Sequence, residues 1–159
     1  MTARAGGSGG ARAGAGRRSR PRPVRRAAMT PARLMEEARR VRRMAHAPYS
    51  RFPVGAALLT RSGRVFLGCN VENASYGLTT CAERSAVFAA VAAGEREFVA
   101  IAVTAREGHG APPCGSCRQV LQEFAPGMWV YWRDQRGRIQ KSRLKALLPK
   151  AFVFRKGGA

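Results

Sequence analysis

Acidic residues are scarce in this chain of 159 residues: nine stand against 29 lysines and arginines, giving a net charge of +20. Lysine is scarce as well, with four residues against 25 arginines, a bias that GC-rich coding alone produces. The basic balance favours nucleic acid as a partner a little. Long apolar runs are absent. No stretch approaches the roughly 18–20 residues that a membrane-spanning helix needs. Four cysteines are far too few for a disulfide-dense scaffold. The length suits one domain, and a chain of this size buries roughly 68–70% of its unfolded surface without staples.

Large aliphatic residues are missing from the first 28 positions, where only Val24 follows Met1. The segment holds eight arginines and no acid, with glycine, alanine, serine and proline between them. It cannot bury enough apolar surface to offset its ordering entropy, so residues 1–28 are expected to be a disordered extension. Arg17-Arg18 is followed by no apolar region, which argues against an export signal. The glycine content argues against an amphipathic transit peptide. Three readings remain: an inert extension, a misassigned start codon with Met29 as the true first residue, or an electrostatic grip on nucleic acid or anionic lipid. Residues 29–159 are expected to form the folded domain, in the cytoplasm.

Along that domain, Thr30-Pro31 has the character of an N-cap followed by proline at the first helical position. Leu34, Ala38, Val41 and Ala45 recur at helical spacing, predicting a helix over about 31–45. Val54 to Thr60 and Val65 to Cys69 read as a hairpin around Arg61-Ser62-Gly63-Arg64. A polar stretch, 70–79, precedes an alanine-rich helix from Ala82 to Ala93 that ends at Gly94. Phe98 to Thr104 predicts a buried strand, Ser116 to Phe124 a helix, and Met128 to Trp132 a strand. A short strand from Arg138 to Gln140 and a last helix from Ser142 to Leu148 follow. Helices and strands alternate without internal repeats, which predicts a layered α/β fold with helices covering one sheet.

The chemistry concentrates in the cysteines. Cys114 and Cys117 form a C-x-x-C pair on one face of a helix turn, after Pro112-Pro113. Cys81 opens a second predicted helix, and a helix N-terminus favours the thiolate that binds metal. A C-x-x-C pair fits a redox dithiol or a zinc site. A closed four-cysteine zinc site would recruit Cys69, and an open one would use Cys81, Cys114 and Cys117 alone. Only the open site gives Glu83 a role. Three protein ligands leave a fourth tetrahedral position free, the pattern of catalytic zinc. Zinc lowers the pKa of bound water to about 7, and a nearby carboxylate can then move the proton. Cys81 and Glu83 lie about 200° apart on a helix, so a metal can serve both only off the helix end.

With C-x-E at 81–83 and P-C-x-x-C at 113–117, the chain resembles the zinc nucleobase deaminases. Tyr49 to Ala57, Gly68 to Thr79, Cys81 to Arg84 and Pro113 to Val120 resemble the small cytidine deaminases of free nucleosides. The likeness covers about 31–154. It implies a three-layer helix–sheet–helix fold around a five-stranded mixed sheet, assembled as a homotetramer. The all-cysteine ligand set, Cys81, Cys114 and Cys117, resembles the short tetrameric branch, with one Zn²⁺ per subunit. By the same resemblance Glu83 is the catalytic acid–base, and Asn70 and Glu72 hold the ribose hydroxyls. Phe52 lies against the pyrimidine and the Ala82 backbone contacts the base. Arg84 offsets the negative charge of the thiolates. Ala74 to Tyr76 and Phe152 correspond to positions that reach a neighbouring subunit's pocket.

The implied reaction is hydrolytic: water adds at C4 of cytosine, Glu83 carries the proton to N3 and then to departing ammonia. Cytidine and 2′-deoxycytidine become uridine and 2′-deoxyuridine, the chemistry of pyrimidine salvage. A modified nucleoside or a nucleic acid is the alternative substrate, although polynucleotides need an open groove and flanking contacts. A zinc-stabilised nucleic-acid binder would leave Asn70, Glu72 and Glu83 without work. The partner expected is therefore a small nucleoside, with neither membrane nor nucleic acid. His109, before the cysteine loop, reads as a surface residue, because as a fourth ligand it would close the catalytic position. Trp129, Tyr131 and Trp132 read as core or subunit contacts, and Arg136 to Lys145 as a solvated edge.

Overall fold

The computed structural model describes residues 29–106 and 108–154. The expected extension, 1–28, lies outside the described residues. Helix α1 spans Pro31–Val41 and runs on into a 3-10 turn, Arg42–Met44, so the long first helix tightens in its last turn. Thr30 caps it: the Thr30 hydroxyl accepts from the Arg33 N–H at 3.2 Å, and Pro31 needs no partner for its nitrogen. Strands β1 (Gly55–Thr60) and β2 (Val65–Cys69) form the hairpin. Helix α2 spans Ala82–Ala92, and β3 spans Phe98–Thr104. Helix α3 (Gly115–Phe124) crosses to β4 (Trp129–Arg133), which pairs with β5 (Ile139–Arg143) before a four-residue helix, α4 (Leu144–Leu147).

The sheet order is β2-β1-β3-β4-β5, and only β3 and β4 run parallel. It is the expected five-stranded mixed sheet. Alternation along each strand gives it two apolar faces. Ala56, Leu58, Ile101, Val103 and Val130 meet α2, α3 and α4 on one side. Ala57, Ala100 and Ala102 meet Leu34, Met35 and Ala38 of α1 on the other. Two cores on two faces make the three layers.

Two glycines set how closely the layers approach. A Cβ on Gly55 would lie 2.1 Å from the Ala38 carbonyl oxygen of α1. One on Gly68 would lie 2.3 Å from the Ala82 carbonyl oxygen of α2. The backbone of β2 therefore touches the first turn of α2, where Cys81 stands.

The C-terminal part differs from the expected boundaries. Strand β5 continues to Arg143, where the sequence pattern starts a helix at Ser142. The antiparallel ladder with β4, from Trp129↔Arg143 to Arg133↔Ile139, holds these residues extended. Arg143 also lies over the Trp129 ring at 3.8 Å from its centroid, with Lys141 at 5.5 Å. The polar stretch after β2 contains a 3-10 turn, Tyr76–Leu78, that periodicity does not reveal.

Candidate active site

Cys81 and Cys114 occupy equivalent places as N-cap residues of α2 and α3, and Cys117 lies in the first turn of α3. The two helix starts converge, and the three sulfurs lie within 4.8 Å of one another. None is in a disulfide. Cys69 stands apart, its thiol donating to the Met44 carbonyl at 3.4 Å. The donor set fits zinc: three soft sulfurs, on two helix starts whose partial positive charge stabilises thiolate. The Cys81 thiol is drawn well below the ordinary thiol range, to about 5, first by its hydrogen bond with Cys117 and further by Arg84. The same bond pushes the Cys117 thiol up.

Arg84 lies one helical turn past Cys81. It donates to the Thr79 carbonyl at 2.7 Å and approaches the Cys81 sulfur at 3.8 Å. Its Nε is buried without a hydrogen-bond partner among the described residues. Its guanidinium thus stands at the edge of the sulfur cluster. Glu83 is buried, and burial, ahead of every other cause, raises its carboxyl above the ordinary carboxylate range. A carboxyl so placed holds a proton more readily than an exposed one, which suits proton transfer.

These groups open onto a cavity of about 470 Å³. Phe52, Asn70, Glu72, Cys81, Ala82, Glu83 and Cys114 line it, together with the apolar Val54, Val103, Ala111 and Pro112. Its volume lies in the small-molecule range. Cys117 is fully buried behind the wall. Asn70 is fixed by the 52–54 segment: its Oδ1 accepts from the Val54 N–H at 2.8 Å, and its Nδ2 donates to the Phe52 carbonyl at 3.0 Å. Glu72 is fixed by the preceding loop. Its carboxylate accepts from the N–H groups of Tyr49 at 2.9 Å and Ser50 at 3.2 Å, and from the Ser50 hydroxyl. These bonds, the hydroxyl's first, hold its carboxyl below the usual range.

Three of the sequence-derived positions lie away from this cavity. Ala74 is exposed, Tyr76 is 73% exposed, and Phe152 is 72% exposed. Tyr76 packs edge-on against Tyr49, and the Phe152 backbone is held by the Gln119 amide at 2.8 Å and 3.3 Å. Other contributors carry no signal in their own spacing. Ser50 orients Glu72 across a gap of 22 residues. Arg118 ties the Pro113 carbonyl (2.7 Å) to the Leu147 carbonyl (2.8 Å), bracing the loop that delivers Cys114. His109 meets the Phe52 ring edge-on at 5.5 Å, outside the sulfur cluster.

Fold and site together define an α/β protein with a three-cysteine group able to hold a metal ion beside a small-molecule cleft. Residues 29–133 match the family described as the cytidine and deoxycytidylate deaminase zinc-binding region. The chain is similar to a cytidine deaminase of Halalkalibacterium halodurans, 52% identical over 121 residues, covering 76% of this chain and 92% of the relative. A cytidine deaminase of Sporosarcina psychrophila is 48% identical over 121 residues, with 76% and 89% covered. Among solved structures, a cytidine deaminase from Burkholderia pseudomallei superposes with a TM-score of 0.74 at 51% identity, over 78% of this chain and all of that one. The chain belongs to the cytidine and deoxycytidylate deaminase family. The zinc that this family's matched region binds has a matching donor group in Cys81, Cys114 and Cys117. No helix among the described residues is long and apolar enough to cross a membrane.

Proposed function

We propose that this chain deaminates free cytidine and 2′-deoxycytidine, giving uridine and 2′-deoxyuridine with release of ammonia, in cytoplasmic pyrimidine salvage. The observation that carries the reading is the meeting of buried Glu83, its carboxyl raised above the ordinary carboxylate range, with three clustered sulfurs beside one cleft. Cys81, Cys114 and Cys117 hold one zinc per subunit. Zinc supplies the Lewis acidity that makes water nucleophilic near neutral pH.

The chain's own residues do the rest. Glu83 accepts the proton that water gives up as its oxygen bonds to C4 of the base. Glu83 returns that proton to N3, then takes the proton of the new C4 hydroxyl, which becomes the uracil carbonyl, and gives it to the exocyclic nitrogen. The C4–N bond then breaks and ammonia leaves. Phe52 covers the ring, and the Ala82 backbone meets its polar edge. Asn70 and Glu72 bind the ribose hydroxyls, the amide donating and the carboxylate accepting. Arg84 offsets the charge of the thiolates. The exposure of Tyr76 and Phe152 supports their service in a neighbour's cleft within a homotetramer.

Zinc-loaded protein mixed with cytidine or 2′-deoxycytidine is expected to produce ammonia and the uracil nucleoside in equal amounts. The ultraviolet change at the base and a coupled ammonia assay read the two products. Loss of the cytosine spectrum without ammonia contradicts a hydrolytic deamination. A silent cytidine assay with zinc bound moves the substrate to another aminated base.

A further inference from the structure

A second cavity, of about 570 Å³, lies at the other side of the loop that follows β3. It shares no lining residue with the cleft described above. The separation follows from strand alternation. Val103 faces the substrate cleft, and the next residue, Thr104, faces the second cavity. Farther along, Arg106 and His109 line the second cavity, whereas Gly110 to Pro112 line the first.

Its walls are cationic. Arg39 comes from α1 and Arg42 from the 3-10 turn after it, Arg106 from the loop, Arg133 from the end of β4 and Arg136 from the β4–β5 turn. The two lining acids are already engaged. Glu36 receives two 2.9 Å bonds from Arg39, and Asp134 accepts from the Arg138 side chain at 2.9 Å. Arg42 donates to the Ala105 carbonyl and Arg133 to the Gly137 carbonyl. Carbonyl oxygens orient a guanidinium without neutralising it. Arg42, Arg106, Arg133 and Arg136 make no ion pair among the described residues. Sequence scarcity of acids thus has a local expression: arginines from three segments face one concavity.

We propose that this cavity is a binding site for a phosphorylated small molecule bearing several negative charges, of the nucleoside-polyphosphate class. Guanidinium forks match pairs of phosphate oxygens, and a phosphate chain offers each fork its own pair. The volume exceeds what one inorganic phosphate fills and lies in the range of small-molecule pockets. A concave site of this size favours a compact ligand over an extended polyanion. The site stands independently of the deaminase reading, because it uses none of the same residues.

Adenosine triphosphate serves as the probe, and adenosine as the same molecule without the chain. Calorimetric titration uses the full zinc-loaded chain at physiological ionic strength, with saturating uridine in the substrate cleft. Adenosine triphosphate is expected to bind and adenosine not. The double variant Arg133→Gln/Arg136→Gln is expected to weaken binding about tenfold or more. The double variant Arg61→Gln/Arg96→Gln removes equal charge at the opposite end of β3 and is expected to leave binding unchanged. Circular dichroism and the deamination rate verify that both variants are folded. Equal weakening by both pairs overturns the proposal, since total charge would then be the cause. So does a wild-type chain that takes up short single-stranded RNA but not adenosine triphosphate.

Discussion

Gly68 on β2 and Ala82 at the start of α2 are in backbone contact, so close that a Cβ on Gly68 would fall 2.3 Å from the Ala82 carbonyl oxygen and 2.4 Å from the Ala86 nitrogen. This contact seats the helix start that carries Cys81 against the strand that leads to Asn70. Gly68→Ala is expected to lower stability by about 1–3 kcal/mol through overpacking. Gly77→Ala, where a Cβ meets nothing within 4 Å, is expected to change it by less than about 0.5 kcal/mol. Chemical denaturation compares them. Equal midpoints would contradict the close approach.

Cys114→Ala is expected to abolish zinc binding and lower the melting temperature, because its ligand group joins α2 to α3. Cys69→Ala is expected to retain zinc, since that thiol is bonded to the Met44 carbonyl outside the cluster. Elemental analysis of the purified variants reads both. Zinc lost from Cys69→Ala would point to a closed four-cysteine site.

Ser50→Ala removes the hydroxyl that holds Glu72. Under the proposed function the expected result is a KM for cytidine raised about tenfold, the scale of one hydrogen bond to a charged group, with kcat little changed. Ser50→Thr, which keeps a hydroxyl, is expected to restore most of the affinity. Steady-state kinetics separates the two constants. A fall in kcat at constant KM would make Ser50 part of the chemical step.

The order of elements was legible because each one carries a local signal. Thr30-Pro31 starts α1, Arg61 to Arg64 turns the hairpin, and Phe98 to Thr104 is apolar throughout. The cysteine group was legible because helix starts can be read from sequence and two of them bear cysteine. The sequence pattern ends β5 too early because Lys141, Ser142 and Arg143 carry no apolar alternation. Their extended form comes from the β4 ladder and the Trp129 ring, which are tertiary. The Ser50–Glu72 bond, the Phe52–His109 contact and the arginine-lined cavity join segments far apart in the chain. No local pattern encodes such meetings; only the packed sheet brings them about.

Glu83 is the group on which the chemistry turns, and the most direct measurement sets wild type and Glu83→Ala side by side, each assayed for zinc and for cytidine turnover. The predicted result is equal zinc content, with turnover in the variant lower by about 10²–10⁴-fold or more. A zinc-loaded variant that deaminates cytidine at the wild-type rate would contradict the assignment of the buried carboxyl as the proton carrier.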